Sequence, residues 1–237
     1  KYGISLEHAT LRWERYQGRE QEVLENAQKA YRTAGISVNE YMETVNGFAA
    51  SLVSSLGAYE HHAAGTADMI VTDMADNANK MGTSLESIQN AYSGFAKQNY
   101  TMLDNLKLGY GGTKEEMQRL LETAAEIEGV EMFDINSFAD VAQAIHIIQE
   151  EMGITGTTAK EASETISGSI ATMKSAWSNL VIGLGNDQED LTFLIDEFVD
   201  SVDSAADNVI PRIEAVLNGV GKLFEKLIPK LTEMFPR

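Results

Sequence analysis

The sequence predicts an all-α protein: a multi-helix bundle of short capped helices and helical hairpins, ending in an amphipathic, coiled-coil-like helix. Three observations predict it. The first 210 residues hold no proline, so nothing there forbids long helical runs. Helix-start signatures recur: Ser37-Val-Asn-Glu40, Thr83-Ser-Leu-Glu86, Thr113-Lys-Glu-Glu116 and Thr158-Ala-Lys-Glu161, with Ser137-Phe-Ala-Asp140 a weaker version. In each, the hydroxyl can satisfy an orphan N–H while the acid reaches back. Apolar residues then follow at helical spacing, and glycines stand where helices should stop.

Taken in order, the expected helices cover 5–17, 20–34, 38–57, 60–80, 84–106, 114–128, 137–152, 158–184 and 188–207, with a last stretch from about 208. The stripe after Thr83 is Leu85, Ile88, Tyr92 and Phe95; after Ser137 it is Phe138, Val141, Ile145, Ile148 and Met152. The stops are Gly35, Gly57, Gly82, Gly129, Gly153 and Gly185. VEMFDI, Val130 to Ile135, is the one strand-like string, too short to carry a sheet alone. The expected division is 1–185, a helical module, and 186–237, the C-terminal amphipathic helices. The chain opens at Lys1 in mid-pattern and reads as a piece of something longer.

The last stretch differs from the rest. Val209, Ile213, Val216, Val220, Leu223, Leu227, Leu231 and Met234 step by fours and threes, close to a 3.5-residue period. Pro211 suits a first turn, whereas Pro229 should kink or end the helix. Three readings stay open for this face: packing on its own domain, self-association, or lying on a membrane surface.

Composition excludes several classes of chemistry. There is no cysteine, so disulfides, thiolate zinc sites and thiol nucleophiles are absent. Net charge is -18, concentrated in 128–208, where sixteen acids face only Lys160 and Lys174. Phosphates would be repelled there, which argues against nucleic-acid binding. No apolar run approaches the roughly 18 residues of a membrane span, and no signal-peptide core opens the chain.

The stretch Gly109-Tyr110-Gly111-Gly112-Thr113-Lys114 invites a phosphate-loop reading. A P-loop needs G-x-x-x-x-G-K-[ST] between strand and helix, and here the order is Gly-Thr-Lys after a helical string. The glycines instead suit a sharp reversal: Gly109 ends one helix, Gly111 and Gly112 permit positive φ, and Thr113 caps the next. Of the four histidines, His61 and His62 diverge on a helix, and His146 is expected to pair on a helix surface with Glu150. His8 stands alone. The aromatics Trp13, Tyr31, Tyr41, Phe48, Tyr92, Phe95, Tyr100, Tyr110, Phe138 and Trp177 fall mostly on apolar stripes, as core residues do. No catalytic, metal or cofactor constellation emerges, and the expectation is a non-enzymatic chain without cofactor.

Four long strings carry a resemblance: DMADNANKMGTSLESIQNAYSGFAKQNYTMLDNLKLGYGGTKEEMQRLL (Asp73–Leu121), KAYRTAGISVNEYMETVNGFAASLVSSLG (Lys29–Gly57), AIHIIQEEMGITGTTAKEASETISGSIATMKSAWSNLVIGLG (Ala144–Gly185) and DNVIPRIEAVLNG (Asp207–Gly219). Together they resemble the tail tape measure proteins of long-tailed phages and prophages of Gram-positive bacteria. The resemblance implies a virion structural protein that sets tail length, sits in the tail-tube lumen after assembly in the host cytoplasm, and leaves during genome ejection. It implies the tail-tube protein, tail assembly chaperones and distal tail or tip proteins as partners; the C-terminal face separately offers a second copy of the chain and the host membrane on ejection as candidate partners. It supplies no catalytic residues and no role for the Gly109–Thr113 loop. A ruler gains about 1.5 Å per residue as an extended helix, whereas these broken, striped helices suit a compact bundle. The expectation is therefore a folded module within a ruler protein. The rival readings are a helical effector or secreted hairpin protein, a membrane-active C-terminal segment, and, least supported, an enzyme.

Overall fold

The computed structural model describes residues 21–185 and 191–234. The expected first helix at 5–17 and Trp13 lie outside the described residues. Those described are all-helical, with no strand among them. The chain forms two compact units, 1–160 and 161–237. That division falls earlier than 185, because the helix ending at Gly183 pairs with the one that follows it.

The first unit holds α1 (21–33), α2 (Val38–Asn46), α3 (Ala49–Leu56), α4 (Ala63–Met81), α5 (Leu85–Phe95), α6 (Lys114–Glu128), α7 (Phe138–Glu151) and the start of α8 (Thr157–Glu164). Short 3-10 turns cover Gly57–His62 and Leu103–Leu106. Ser37, Thr113 and Ser137 cap α2, α6 and α7 as their signatures predict, each hydroxyl accepting the N–H three residues on. In the Thr83 box the cap moves by one: Ser84 starts α5, while the Thr83 hydroxyl donates to the Asn105 carbonyl.

Three expected helices are each divided in two. The first, 38–57, breaks at Gly47 and Phe48, where Phe48 turns into the core and meets Phe138 with ring centroids 5.7 Å apart. The run 84–106 stops at Phe95. There Gln98 takes φ +58, its N–H bonds to Phe95 O, and Asn99 N–H bonds to Gly94 O. That is the pairing of a Schellman stop, with glutamine where glycine is usual. The run 158–184 breaks at Thr165, which caps α9 (Ile166–Gly183). VEMFDI forms no strand; Phe133 and Ile135 pack on the core, and Tyr100 donates to the Ile135 carbonyl at 2.6 Å.

α4 is the centre of the first unit. It packs against α2, α3, α5 and α7. Nine of its residues are buried, including Ile70, Val71 and Met74, but also Asp73, Asp76 and Asn77. Those polar groups find partners on other elements. Asn77 donates to the Leu106 carbonyl at 3.0 Å. Asp76 accepts the backbone N–H of Gly156 at 2.6 Å and of Thr158 at 2.7 Å. The N-terminus of α8 is thus capped by a carboxylate from α4, and not by the Thr158 hydroxyl that its sequence box predicts; Thr158 is already inside the helix.

In the second unit α9 packs on α10 (Leu191–Met234). The two expected helices, 188–207 and the stretch from 208, are one. Pro211 lies inside it rather than in a first turn, and Pro229 does not end it. Each proline removes one backbone donor, a local loss that a helix this long accommodates.

Asp76→Ala is expected to lower the unfolding free energy by about 2–3 kcal/mol, because two partly buried N–H groups lose a charged acceptor. Asp76→Asn, which keeps one acceptor oxygen, should lose less. Urea unfolding of both variants checks this, and an unchanged midpoint for Asp76→Ala would contradict the cap.

Candidate functional site

The glycine loop is placed by the start of α6. Thr113 caps that helix, which presents Glu116 and Arg119 one turn apart toward the loop. Arg119 pairs with Glu116 at 2.6 Å and donates to the Gly109 carbonyl at 3.1 Å. Its guanidinium also lies over the Tyr110 ring, 4.4 Å from the centroid. Glu116 in turn accepts the Gly111 N–H at 3.1 Å. The Arg119 hydrogen bonds, with Gly111 adding to them, hold the Glu116 carboxyl below its ordinary value. The loop is therefore a closed clip. An N–H that a phosphate would need is taken by a carboxylate, which would also repel it.

Of the three glycines, only Gly109 has positive φ, +87. Gly111 and Gly112 do not, contrary to the sequence expectation. Gly112 is required for a different reason: a Cβ there would collide with the Thr101 carbonyl. The loop backbone packs directly against the turn that precedes it.

The second sequence candidate, the face Val209, Ile213, Val216, Val220, Leu223, Leu227 and Leu231, lies on α10. Val209 is half-buried and Ile210 exposed. The side chains of the other six lie outside the described residues.

A third cluster was not read from the sequence. His146 on α7 faces α4, not Glu150 alone: its Nδ1 lies 2.9 Å from both carboxylate oxygens of Asp73. Asp73 is buried. Three residues along α7, Gln149 donates to the Tyr92 hydroxyl at 3.4 Å. Burial pushes the Asp73 carboxyl up, against the hydrogen bond from His146. The hydrogen bond to Asp73 lifts His146, against burial, with Glu150 and Asp76 adding to the rise. The sequence did contain a signal: Asp73 and Asp76 fall between Ile70, Met74 and Asn77, on the buried side of a helix.

The pair has the imidazole–carboxylate half of a nucleophilic triad. No hydroxyl or thiol completes it in the hydrogen bonds of His146. Among the described residues, no group of three or more His, Cys, Asp or Glu could hold a metal ion. No described helix is long and apolar enough to cross a membrane. A cleft of about 390 Å³ opens beside α3, lined by Ser51, Ser54, Ser55, Gln98 and Asn136 over Phe95 and Phe138, without a charged side chain. Two of its hydroxyls are engaged internally: Ser51 donates to Ala96 O, and Ser55 accepts the Ala139 N–H.

The chain matches no family model, no curated protein and no solved structure.

Two predictions follow from this geometry. Gly112→Ala should destabilise by about 1–3 kcal/mol through overpacking against backbone, seen as a lower urea midpoint. For the Asp73–His146 pair, the folded state binds protons more tightly than the unfolded state at both groups, so stability falls as pH rises. The His146 contribution is complete below about pH 6.5 and is lost as pH climbs through its raised folded value. Unfolding free energy measured from pH 6 upward should fall, and His146→Gln should flatten the slope. A wild-type profile that rises over that window would contradict the pairing.

Proposed function

We propose that this chain is part of the tail tape measure protein of a long-tailed phage or prophage, and that it works there as a folded helical module rather than as extended ruler. One observation carries the assignment: the long strings Lys29–Gly57, Asp73–Leu121, Ala144–Gly185 and Asp207–Gly219, which resemble that family over most of the chain. The all-helical architecture is compatible with it. The partners are then the tail-tube protein, tail assembly chaperones and distal tail proteins, and the place is the tube lumen of the virion.

The folded-module part is supported by the first unit. A helix contributing length gives about 1.5 Å per residue. Here α4 is enclosed by α2, α3, α5 and α7. Its acids Asp68, Asp73 and Asp76 are spent on α2, α7 and α8. Straightening this segment would leave Asp73 and Asp76 without those partners and return a large apolar core to water. The role is structural: a compact body carried by the ruler.

The test is tail length by electron microscopy after in-frame removal of residues 38–160, most of the first unit, from the gene. Those 123 residues would span about 185 Å as one helix. Tails of unchanged length, or failure to initiate tails, are expected. Tails shortened by about 185 Å would show extended ruler and sink the folded-module reading. Normal tails from a phage lacking the whole gene would sink the tape measure reading itself.

A further inference from the structure

α10 carries two apolar stripes. One faces α9: Leu194, Ser201 and Ala205 are buried there, and the Phe198 ring lies 5.2 Å from Trp177. The other leaves Ile195, Val199 and Val202 at 44%, 49% and 37% exposure. These three are separated by four and three residues, and the same alternation continues without a break through Ala206 and Val209 into the stripe that begins at Ile213 and runs to Leu227. The 3.5-residue period therefore spans almost five heptads on one continuous helix. A period of 3.5 keeps a seam facing a partner helix over that length, whereas a straight helix on a flat surface would drift off it.

Charge selects the partner and its direction. Residues 191–208 carry five acids and no base. Residues 209–234 carry four bases, Arg212, Lys222, Lys226 and Lys230, and three acids. A parallel copy would set acidic half beside acidic half; an antiparallel copy sets each acidic half beside the half that holds the bases. The register closes on itself as well. Positions 195 and 227, 199 and 223, 202 and 220, 206 and 216, and 209 and 213 are each equidistant from residue 211. An antiparallel copy centred at 211 thus matches every apolar position with another.

We propose that α10 pairs antiparallel with α10 of a second copy of this chain along the Ile195–Leu227 seam. The inference stands on the helix and its charges and does not depend on the tail reading. The chain has no cysteine, so single-cysteine variants report the pairing directly. Light scattering on the whole chain should give twice the monomer mass. Oxidising a mixture of Ile195→Cys and Leu227→Cys should give a mixed disulfide that neither variant gives alone. Val199→Asp with Val202→Asp, both exposed in the single chain, should yield a monomer of undiminished helical circular dichroism. A monomeric parent chain at its highest soluble concentration would overturn the proposal, as would a trimer or larger species. An Ile195→Cys homodisulfide would show parallel pairing, and a monomer that floats with phosphatidylglycerol–phosphatidylcholine vesicles would assign the seam to a membrane; either would overturn it.

Discussion

The first unit depends on how α4 satisfies its buried polar side. A carboxylate taken out of water without partners is strongly destabilising, so a helix with Asp73, Asp76 and Asn77 on its inner face can be buried only if other elements arrive in register. Each polar residue recruits a different one. Asp73 takes His146 and so sets α7; Asp76 takes the N-terminus of α8; Asn77 takes the carbonyl that closes the Leu103–Leu106 turn. The apolar residues between them, Ile70, Val71 and Met74, supply burial but would tolerate a slide of the packing. The hydrogen bonds do not, since a shift of one turn would leave them unmade.

The glycine loop applies the same logic at the surface. Its backbone is fixed by two charged side chains from one turn of α6, Arg119 and Glu116. The pair is exposed, so its free energy is small. Its effect is geometric: it closes the reversal that Gly109 begins and lets the backbone at Gly112 touch the backbone at Thr101. A glycine-rich sequence here marks close packing of chain on chain. The nearby Phe95–Tyr100 stack and the Tyr100 bond to Ile135 tie the preceding turn to the segment between α6 and α7, so the loop stands on a fixed base.

What was legible in the sequence is what local chemistry decides. Ser37, Thr113 and Ser137 cap because a hydroxyl three residues before an N–H needs nothing from the rest of the fold. Gly82 and Gly129 end helices for the same kind of reason. The misses share the opposite character. The stop after Phe95 uses Gln98 at positive φ, and the turn after Leu106 uses Lys107 likewise, with the Lys107 ammonium donating to the Met81 carbonyl. Neither residue announces such a conformation; tertiary contacts impose it. The α8 cap comes from Asp76, some eighty residues upstream, so the local Thr158 box misplaced it. His146 looked like a surface residue because its partner lies on another helix. The glycine loop is a bend, but Gly109 ends no helix, since the preceding turn stops at Leu106 with Lys107 left-handed, and the Arg119–Glu116 clip that holds the loop leaves no local signature.

The two units answer the problem of apolar surface in opposite ways. In the first, helices are short, and their apolar faces close on α4, with buried acids matched one by one. In the second, α10 is a single long helix with an apolar stripe on each of two faces, and α9 covers only one. A helix can carry two such stripes without collapsing on itself only because it is stiff and continuous, which is what the absence of a break at Pro211 provides. Its first half, 191–208, holds five acids and no base. That leaves an apolar stripe exposed at Ile195, Val199 and Val202 on the same length of helix as an excess of acids. One antiparallel copy answers both at once, whereas a parallel copy would cover the seam and double the repulsion.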